Sequence, residues 1–252
     1  AEGRFKDATS SYGLSDFVGW WNTVKTADFD NDGDLDFVAG NLGLNYKYKS
    51  TKKEPFKLYA GDFDQNGNLD IVLGYYDGGE LYPLRGRECS SQQIPAIKKK
   101  FPDYTSFSRA SLKEVYEQKS LEQATEYEAK TFASSVFINN SGTFIQKSLP
   151  NLAQVSSVND MCIEDFDSDG HLDIIAVGNL YGSEVETPRN DASFGLLLNG
   201  LGEGEFEAIL PTVSGINIRG EAKTIQRLRT VNDTFYLIAR NNMNLSALKE
   251  GK

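Results

Sequence analysis

The chain is poor in the residues on which much protein chemistry depends. A single histidine, His171, stands among 252 residues, at a place in an acidic loop where its carbonyl faces inward and its side chain is expected in solvent, which argues against a histidine-dependent catalytic triad. Two cysteines, Cys89 and Cys162, supply neither a disulfide framework nor a paired-cysteine metal site. Cys89 lies in a polar stretch and Cys162 in an apolar run, so a buried free thiol is expected for Cys162 ahead of a disulfide between the two. There is no glycine-rich phosphate loop and no nucleophile elbow. No apolar run is long enough to span a bilayer, so no membrane span is expected. Positive charge is scarce: 26 Lys and Arg against 36 Asp and Glu give a net charge of -10, which argues against a nucleic-acid partner. No signal peptide and no initiating Met are present, so Ala1 reads as the start of a mature or trimmed chain.

What the chain does have is a nine-residue frame written three times. Asp28 to Asp36 reads Asp-Phe-Asp-Asn-Asp-Gly-Asp-Leu-Asp, Asp62 to Asp70 reads Asp-Phe-Asp-Gln-Asn-Gly-Asn-Leu-Asp, and Asp165 to Asp173 reads Asp-Phe-Asp-Ser-Asp-Gly-His-Leu-Asp. Oxygens at alternate positions of a tight turn converge and repel one another unless a hard cation sits among them, and Ca²⁺ is the natural occupant. Gly at the sixth place permits the backbone angle of the turn. The expected ligands are Asp28, Asp30, Asp32 and Asp36 with the carbonyl of Asp34; Asp62, Asp64 and Asp70 with Asn66 and Asn68; and Asp165, Asp167, Asp169 and Asp173 with the carbonyl of His171. Up to three structural ions are expected, the middle one weakest because Asn66 is neutral. The three motifs hold 12 of the 36 acidic residues, so the charge is largely local.

An EF-hand needs a Glu at the twelfth place, which here holds Ala39, Leu73 and Ala176. Each motif runs instead into a short aliphatic segment closed by Gly40, Gly74 or Gly178, so the loops are expected to join strands. A second feature recurs. Gly142-Thr143-Phe144 and Gly204-Glu205-Phe206 each follow an apolar strand ending in Asn, as a hairpin turn would, and Gly3-Arg4-Phe5 echoes them. Joined, the features give a four-stranded unit, clearest over 160–212, whose repetition predicts a β-propeller blade. The chain then opens on an outermost strand, and 223–228 with 235–238 form the first two strands of a last blade whose turn has lost its ligands; either the N-terminal strand closes that blade within this chain or both ends are cuts in a longer protein.

The interval from Asp28 to Asp62 is too short for four strands, which predicts an abbreviated unit over about 18–55; the longer one to Asp165 carries an insertion over about 85–131. Within it, Ile94, Ile97 and Phe101 share one helix face stopped by Pro102, with Lys98, Lys99 and Lys100 as a solvated helix end. Ser111 and Glu114 form a capping box for a second helix with Leu112, Val115 and Tyr116 inward. Trp20 and Trp21 are candidate ligand-binding residues, a flat platform for sugar rings, of which strand alternation leaves at most one ring exposed. The loop Tyr181 to Asn190, with Glu184, Glu186 and Arg189, has a counterpart at Tyr75 to Glu80, and such loops line a propeller rim.

These residues resemble the FG-GAP or VCBS repeats of the integrin α-chain propeller and of many secreted bacterial proteins, closest in wording to those exported by Bacteroidetes-type bacteria. The resemblance rests on the Asp-Phe-Asp loops, the Leu-Asp-Ile/Phe strands after them and the Gly-x-Phe hairpins, and it covers most of the chain outside 85–131. It implies a seven-bladed propeller with Ca²⁺ between the first two strands of some blades, serving recognition or adhesion. With about four units in 1–252, the expectation is one all-β domain, an integrin-α-like propeller whole or partial, possessing a small helical insertion. It is expected to be secreted, periplasmic or on the cell surface, and to bind an unidentified protein or carbohydrate without catalysis. The alternatives are a polysaccharide lyase-like enzyme using Arg85, Arg87, Tyr181 and Arg189, and a calcium-dependent lectin.

Overall fold

A computed structural model describes residues 3–183 and 187–250. Strands β1 (Thr23–Ala27) and β2 (Asp36–Gly40) flank the first loop, and β3 (Phe56–Gly61) and β4 (Asp70–Asp77) the second; β5 (Glu80–Pro83) follows. Five short helices come next: α1 (Arg87–Gln93), α2 (Ala96–Lys100), α3 (Tyr104–Ser108), α4 (Leu112–Tyr116) and α5 (Gln118–Gln123). Then β6 (Thr125–Ala129) leads into the hairpin β7 (Ser135–Asn140) and β8 (Thr143–Ser148). The third loop joins β9 (Val158–Glu164) to β10 (Asp173–Gly178), and β11 (Leu196–Gly200) and β12 (Phe206–Ile209) form another hairpin. After α6 (Pro211–Ser214) come β13 (Ala222–Arg229), β14 (Thr234–Arg240) and β15 (Ser246–Lys249).

The strands make four antiparallel sheets, so the chain is of the all-β class with a helical segment. The first sheet has the order β1-β2-β7-β8, the second β5-β4-β3-β6, the third β12-β11-β10-β9 and the fourth β13-β14-β15. All three acidic loops join strands, as expected, and both Gly-x-Phe hairpins are present. Three expectations need correction. The first unit is not abbreviated: its third and fourth strands, β7 and β8, lie beyond position 131, because the second sheet and the helices are spliced between β2 and β7. Gly3-Arg4-Phe5 is not a strand; Phe5 is fully exposed at 101%. Tyr75 to Glu80 is no rim loop but the tight β4–β5 hairpin, with Asp77 facing Glu80 across Gly78 and Gly79 at φ 59° and 85°.

Two compact units result, one from the chain up to Tyr46, Phe132–Ser183 and from Pro188 on, the other from Lys47–Thr131. In the second unit the helices cover one face of the second sheet, placing Ile94, Ile97, Leu112 and Val115 on Tyr59 and Val72. Local signals break this segment into short pieces. Pro95 separates α1 from α2, so Ile94 ends one helix and Ile97 lies in the next; Asp103 caps α3 by accepting from Ser106 N at 2.8 Å. The Ser111–Glu114 capping box opens α4 as expected. The helices stop at Gln123, and Thr125–Ala129 pairs along β3. No helix among the described residues is long and apolar enough to cross a membrane.

In the first unit three sheets stack in series, and the period-two alternation of β10 shows how. Ile174 and Ala176 enter a core shared with Val38, Val136 and Ile138 of the first sheet, while Ile175 and Val177 enter one shared with Ile225, Tyr236 and Ile238 of the fourth. Both faces of β10 are therefore buried. Its last residue, Gly178, has no room for a side chain, because a Cβ there would lie 1.7 Å from the Ser157 carbonyl oxygen. Strands β1, β9 and β13 lie side by side, joined by the carboxylate of Asp160 on β9. It accepts from Thr224 Oγ1 at 2.6 Å, from the Ile225 N–H at 2.9 Å and from the Met161 N–H at 2.9 Å, and it pairs with Lys25 Nζ at 2.9 Å. Burial opposes ionisation, yet these donors hold the Asp160 carboxyl below its ordinary value of 3.8.

A depressed carboxyl pKa contributes stability that is present above the unfolded value and lost as pH falls through the lower folded value. Asp160→Asn should therefore cost about 1–3 kcal/mol at neutral pH, and the difference from wild type should shrink in acid below pH 3.8. Urea denaturation of both proteins at the two pH values checks this; an undiminished difference in acid would show that the charge is not what Asp160 contributes.

Candidate metal centres

The three loops are superposable in their hydrogen bonds. In each, the carboxylate at the ninth place accepts from the N–H of the Phe at the second: Asp36 from Phe29 at 2.8 Å, Asp70 from Phe63 at 2.9 Å, Asp173 from Phe166 at 2.8 Å. The first-place Asp accepts from the sixth-place Gly: Asp28 from Gly33, Asp62 from Gly67 and Asp165 from Gly170, at 2.9–3.0 Å. The fifth-place side chain of Asp32, Asn66 or Asp169 takes the N–H of the seventh residue at 2.8–2.9 Å. Two residues per loop have positive φ. One is the Gly, at 95°, 86° and 90°, and the other is the fourth residue, Asn31, Gln65 or Ser168, at 60° to 63°. The fourth-place demand is a signal the sequence reading missed; Asn31 suits it, whereas Gln65 and Ser168 adopt it against their preference.

This backbone aims the carboxylates inward. Oxygens of Asp28, Asp30 and Asp32 lie within 4.8 Å of one another, as do those of Asp62, Asp64 and Asp70, and of Asp165, Asp167 and Asp173. Asp34, Asp36 and Asp169 fall outside these groups. Both oxygens of Asp36 accept backbone N–H groups, the second from Asn139 on β7 at 2.7 Å, and Asp173 likewise accepts from Gly200 on β11 at 2.8 Å. Burial, aided by the neighbouring carboxylates, raises the carboxyls of Asp30, Asp34, Asp70 and Asp173 above their ordinary value. Among the described residues, four buried side-chain polar atoms have no hydrogen-bond partner, and all four lie in the loops: Asp28 Oδ1, Asp34 Oδ1, Asp64 Oδ1 and His171 Nδ1. His171 is a correction, since its side chain was expected in solvent. The ring is half-buried against the β11–β12 turn, where it abuts Gly202.

The other candidates take structural places. Trp20 is exposed, whereas Trp21 is half-buried, donates from Nε1 to the Phe17 carbonyl at 3.1 Å and meets Phe137 edge-on at 5.8 Å. Trp21 lines an apolar cleft of about 410 Å³ with Leu14, Phe17, Phe37 and Phe137. Arg85 reaches Gln93 Oε1 at 3.2 Å. Arg87 is buried and donates to the carbonyls of Phe101 and Pro102 at 2.6 and 3.1 Å, so it ties the helices together. Arg189 does come together with Tyr181, its guanidinium 4.6 Å from the ring centre, but Glu184 and Glu186 of that loop lie outside the described residues. Cys89 and Cys162 are free thiols, and burial pushes Cys162 up to about 11.

One repeat escaped the sequence reading altogether. Gly40-Asn41-Leu42 and Gly178-Asn179-Leu180 both open the connection between the second and third strands of their sheets, and both Asn side chains are buried. Asn179 donates to the Ser193 and Gly220 carbonyls at 2.8 and 2.9 Å, and Asn41 to Ala133 at 3.3 Å. The chain matches no protein-family model and no curated protein.

Two substitutions separate the parts of this frame. Asp36→Ala leaves the Phe29 and Asn139 N–H groups unpaired and should cost about 2–5 kcal/mol. Gly170→Ala, at φ 90° with open space around the new methyl group, should cost only the backbone strain, about 1–2 kcal/mol. Denaturant unfolding measures both; a larger loss at Gly170 would contradict this division of roles.

Proposed function

We propose that the chain is a calcium-stabilised module of an exported, integrin-α-like β-propeller, which presents a recognition or scaffold surface to a protein or carbohydrate and performs no catalysis of its own. The observation that carries the calcium part is the confinement of the unpaired buried polar atoms to the three loops. A desolvated carboxylate oxygen with no partner is costly, and the fold leaves three of them in two loops of clustered carboxylates. The donors are oxygens throughout, which suits a hard cation such as Ca²⁺ rather than a thiophilic metal. Asp28, Asp30 and Asp32, Asp62, Asp64 and Asp70, and Asp165, Asp167 and Asp173 would hold it. Its contribution would be to neutralise each loop and tie the first strand of a sheet to the second, so that binding energy becomes folding energy.

The propeller part draws support from the serial stacking of the first, third and fourth sheets, with β1, β9 and β13 adjacent along one edge and strand order following chain order outward from that edge. The lyase-like reading loses support, because Arg87 is spent on backbone carbonyls and Arg189 on a tyrosine face.

A thermal melt of chelator-treated protein with calcium, with magnesium and with neither tests the reading. Calcium at a hundred times its dissociation constant should add about 2.7 kcal/mol per site, a rise in Tm of roughly 5 °C or more, with little effect of magnesium. Asp30→Ala and Asp167→Ala should lower stability mainly in calcium. Equal losses with and without the ion, or no calcium shift in wild type, would overturn the proposal.

A further inference from the structure

Away from the acidic loops, the helices of the second unit close a polar pocket against the second sheet. Tyr59 faces Glu126 of β6 on one side and Val72 of β4 on the other, and Tyr76, four residues beyond Val72, faces Leu81 of β5. Strand alternation therefore turns Tyr59, Tyr76, Leu81 and Glu126 to one face of the sheet, the face on which the helices lie. Lys113 of α4 and Gln118 and Glu122 of α5 stand over them, and a pocket of about 310 Å³ remains between. That volume lies at the lower end of the range of small-molecule sites, about 300–1,000 Å³. The hairpin turn at Gly78 and Gly79 brings Glu80 to the same opening, beside Lys113 at 3.0 Å.

The floor is rigid and the rim is polar. Tyr59 is only 7% exposed, and burial together with the charge of Glu126 pushes its hydroxyl up to about 12, so it remains a neutral donor at ordinary pH. Each rim carboxylate already has one donor: Glu80 has Lys113, Glu122 has the Gln118 amide at 2.8 Å, and Glu126 has Lys57. A carboxylate offers about four acceptor sites and a lysine three donors, so these pairs leave acceptors and donors side by side around the opening.

This pattern selects among ligand classes. An anion would meet three carboxylates against the single lysine of the rim, Lys113. A cation finds little uncompensated charge, since Glu80 and Glu126 are each paired with a lysine. An apolar ligand would bury the rim groups without partners. A neutral ring bearing several hydroxyls suits all of it. Each hydroxyl can donate to a carboxylate and accept from Lys113 or a tyrosine, while the C–H face of the ring lies on the apolar body of the tyrosines.

We propose that this pocket binds a neutral sugar residue, with Glu80 and Glu122 accepting from its hydroxyls, Lys113 donating to them, and Tyr59 and Tyr76 beneath its apolar face. The site rests on the carbohydrate arm of the recognition reading and gives the helical segment its role. It uses no cation, so it stands or falls separately from the calcium melt.

Saturation-transfer NMR of the full chain in chelator tests this, with the methyl glycosides of glucose, galactose, mannose and xylose as probes and glucuronate and choline as charged controls. At least one glycoside should receive saturation and titrate with a Kd of about 1 mM or tighter, and neither control should displace it. Glu80→Gln and Glu122→Gln alter only rim side chains, and each should weaken binding roughly tenfold with Tm unchanged. No transfer to any of the four glycosides at about 50 mM, binding unchanged in either variant, or displacement by glucuronate or choline would each overturn the proposal. A chain that binds the glycoside but melts without regard to calcium would lose the calcium reading and keep this one.

Discussion

One buried carboxylate per loop, at the ninth place, is the bond on which the rest depends. Asp36 and Asp173 are each about 1% exposed and each use both oxygens on backbone N–H groups, one inside the loop at Phe29 or Phe166, one on the third strand at Asn139 or Gly200. A single side chain therefore closes the acidic turn and sets the strand that packs beside it. A hydroxyl or amide could not accept both N–H groups with the strength of a carboxylate. With the turn closed from below, the first and third side chains of each loop have little choice but to point into it, and the convergence of charge follows from the strand pairing. Asp70 keeps the bond to Phe63, but β4 gains its neighbour through the two-residue turn at Gly78 and Gly79, and β6 attaches at the opposite edge beside β3. The second sheet shares the loop without sharing the order.

What the sequence made legible tracks how local each interaction is. The loop frame is closed by bonds spanning at most seven residues, Phe29 to Asp36 being the longest, so its form was readable from nine letters. Hairpins and the Ser111–Glu114 cap are equally local. The pairing of Phe37 with Phe137 is not: a hundred residues lie between them, and nothing in the composition of either strand names the other. The spacing of 34 residues between the first two loops was therefore read as a shortened unit, when it records an interruption of one sheet by another unit. The repeated Gly-Asn-Leu at 40–42 and 178–180 marks the point of interruption, since both open the same connection, one of 17 residues (179–195) and the other holding a whole unit. Arg85 and Arg87 show the other limit. Their charge was legible, but whether a guanidinium faces solvent or a helix-end carbonyl depends on where Phe101 and Pro102 end up.

The same residue type serves two electrostatic purposes, and the direction of its pKa distinguishes them. Asp160 is buried, yet Thr224, Ile225, Met161 and Lys25 supply its charge with donors, and its carboxyl lies low. Asp30, Asp34, Asp70 and Asp173 lie high, because burial and neighbouring carboxylates outweigh the few N–H groups that reach them. In the first case the fold provides the counter-charge; in the second it gathers negative charge and provides none. At the fifth place a neutral residue relieves the loop at no loss to the turn, as Asn66 illustrates by accepting from the Asn68 N–H at 2.8 Å without a charge. The charges of Asp32 and Asp169 at the fifth place are thus not required by the backbone, whereas the ninth-place carboxylates are. Under the proposed function a bound cation would supply the counter-charge that the fold does not provide to these loops, and this is the physical content of the calcium reading.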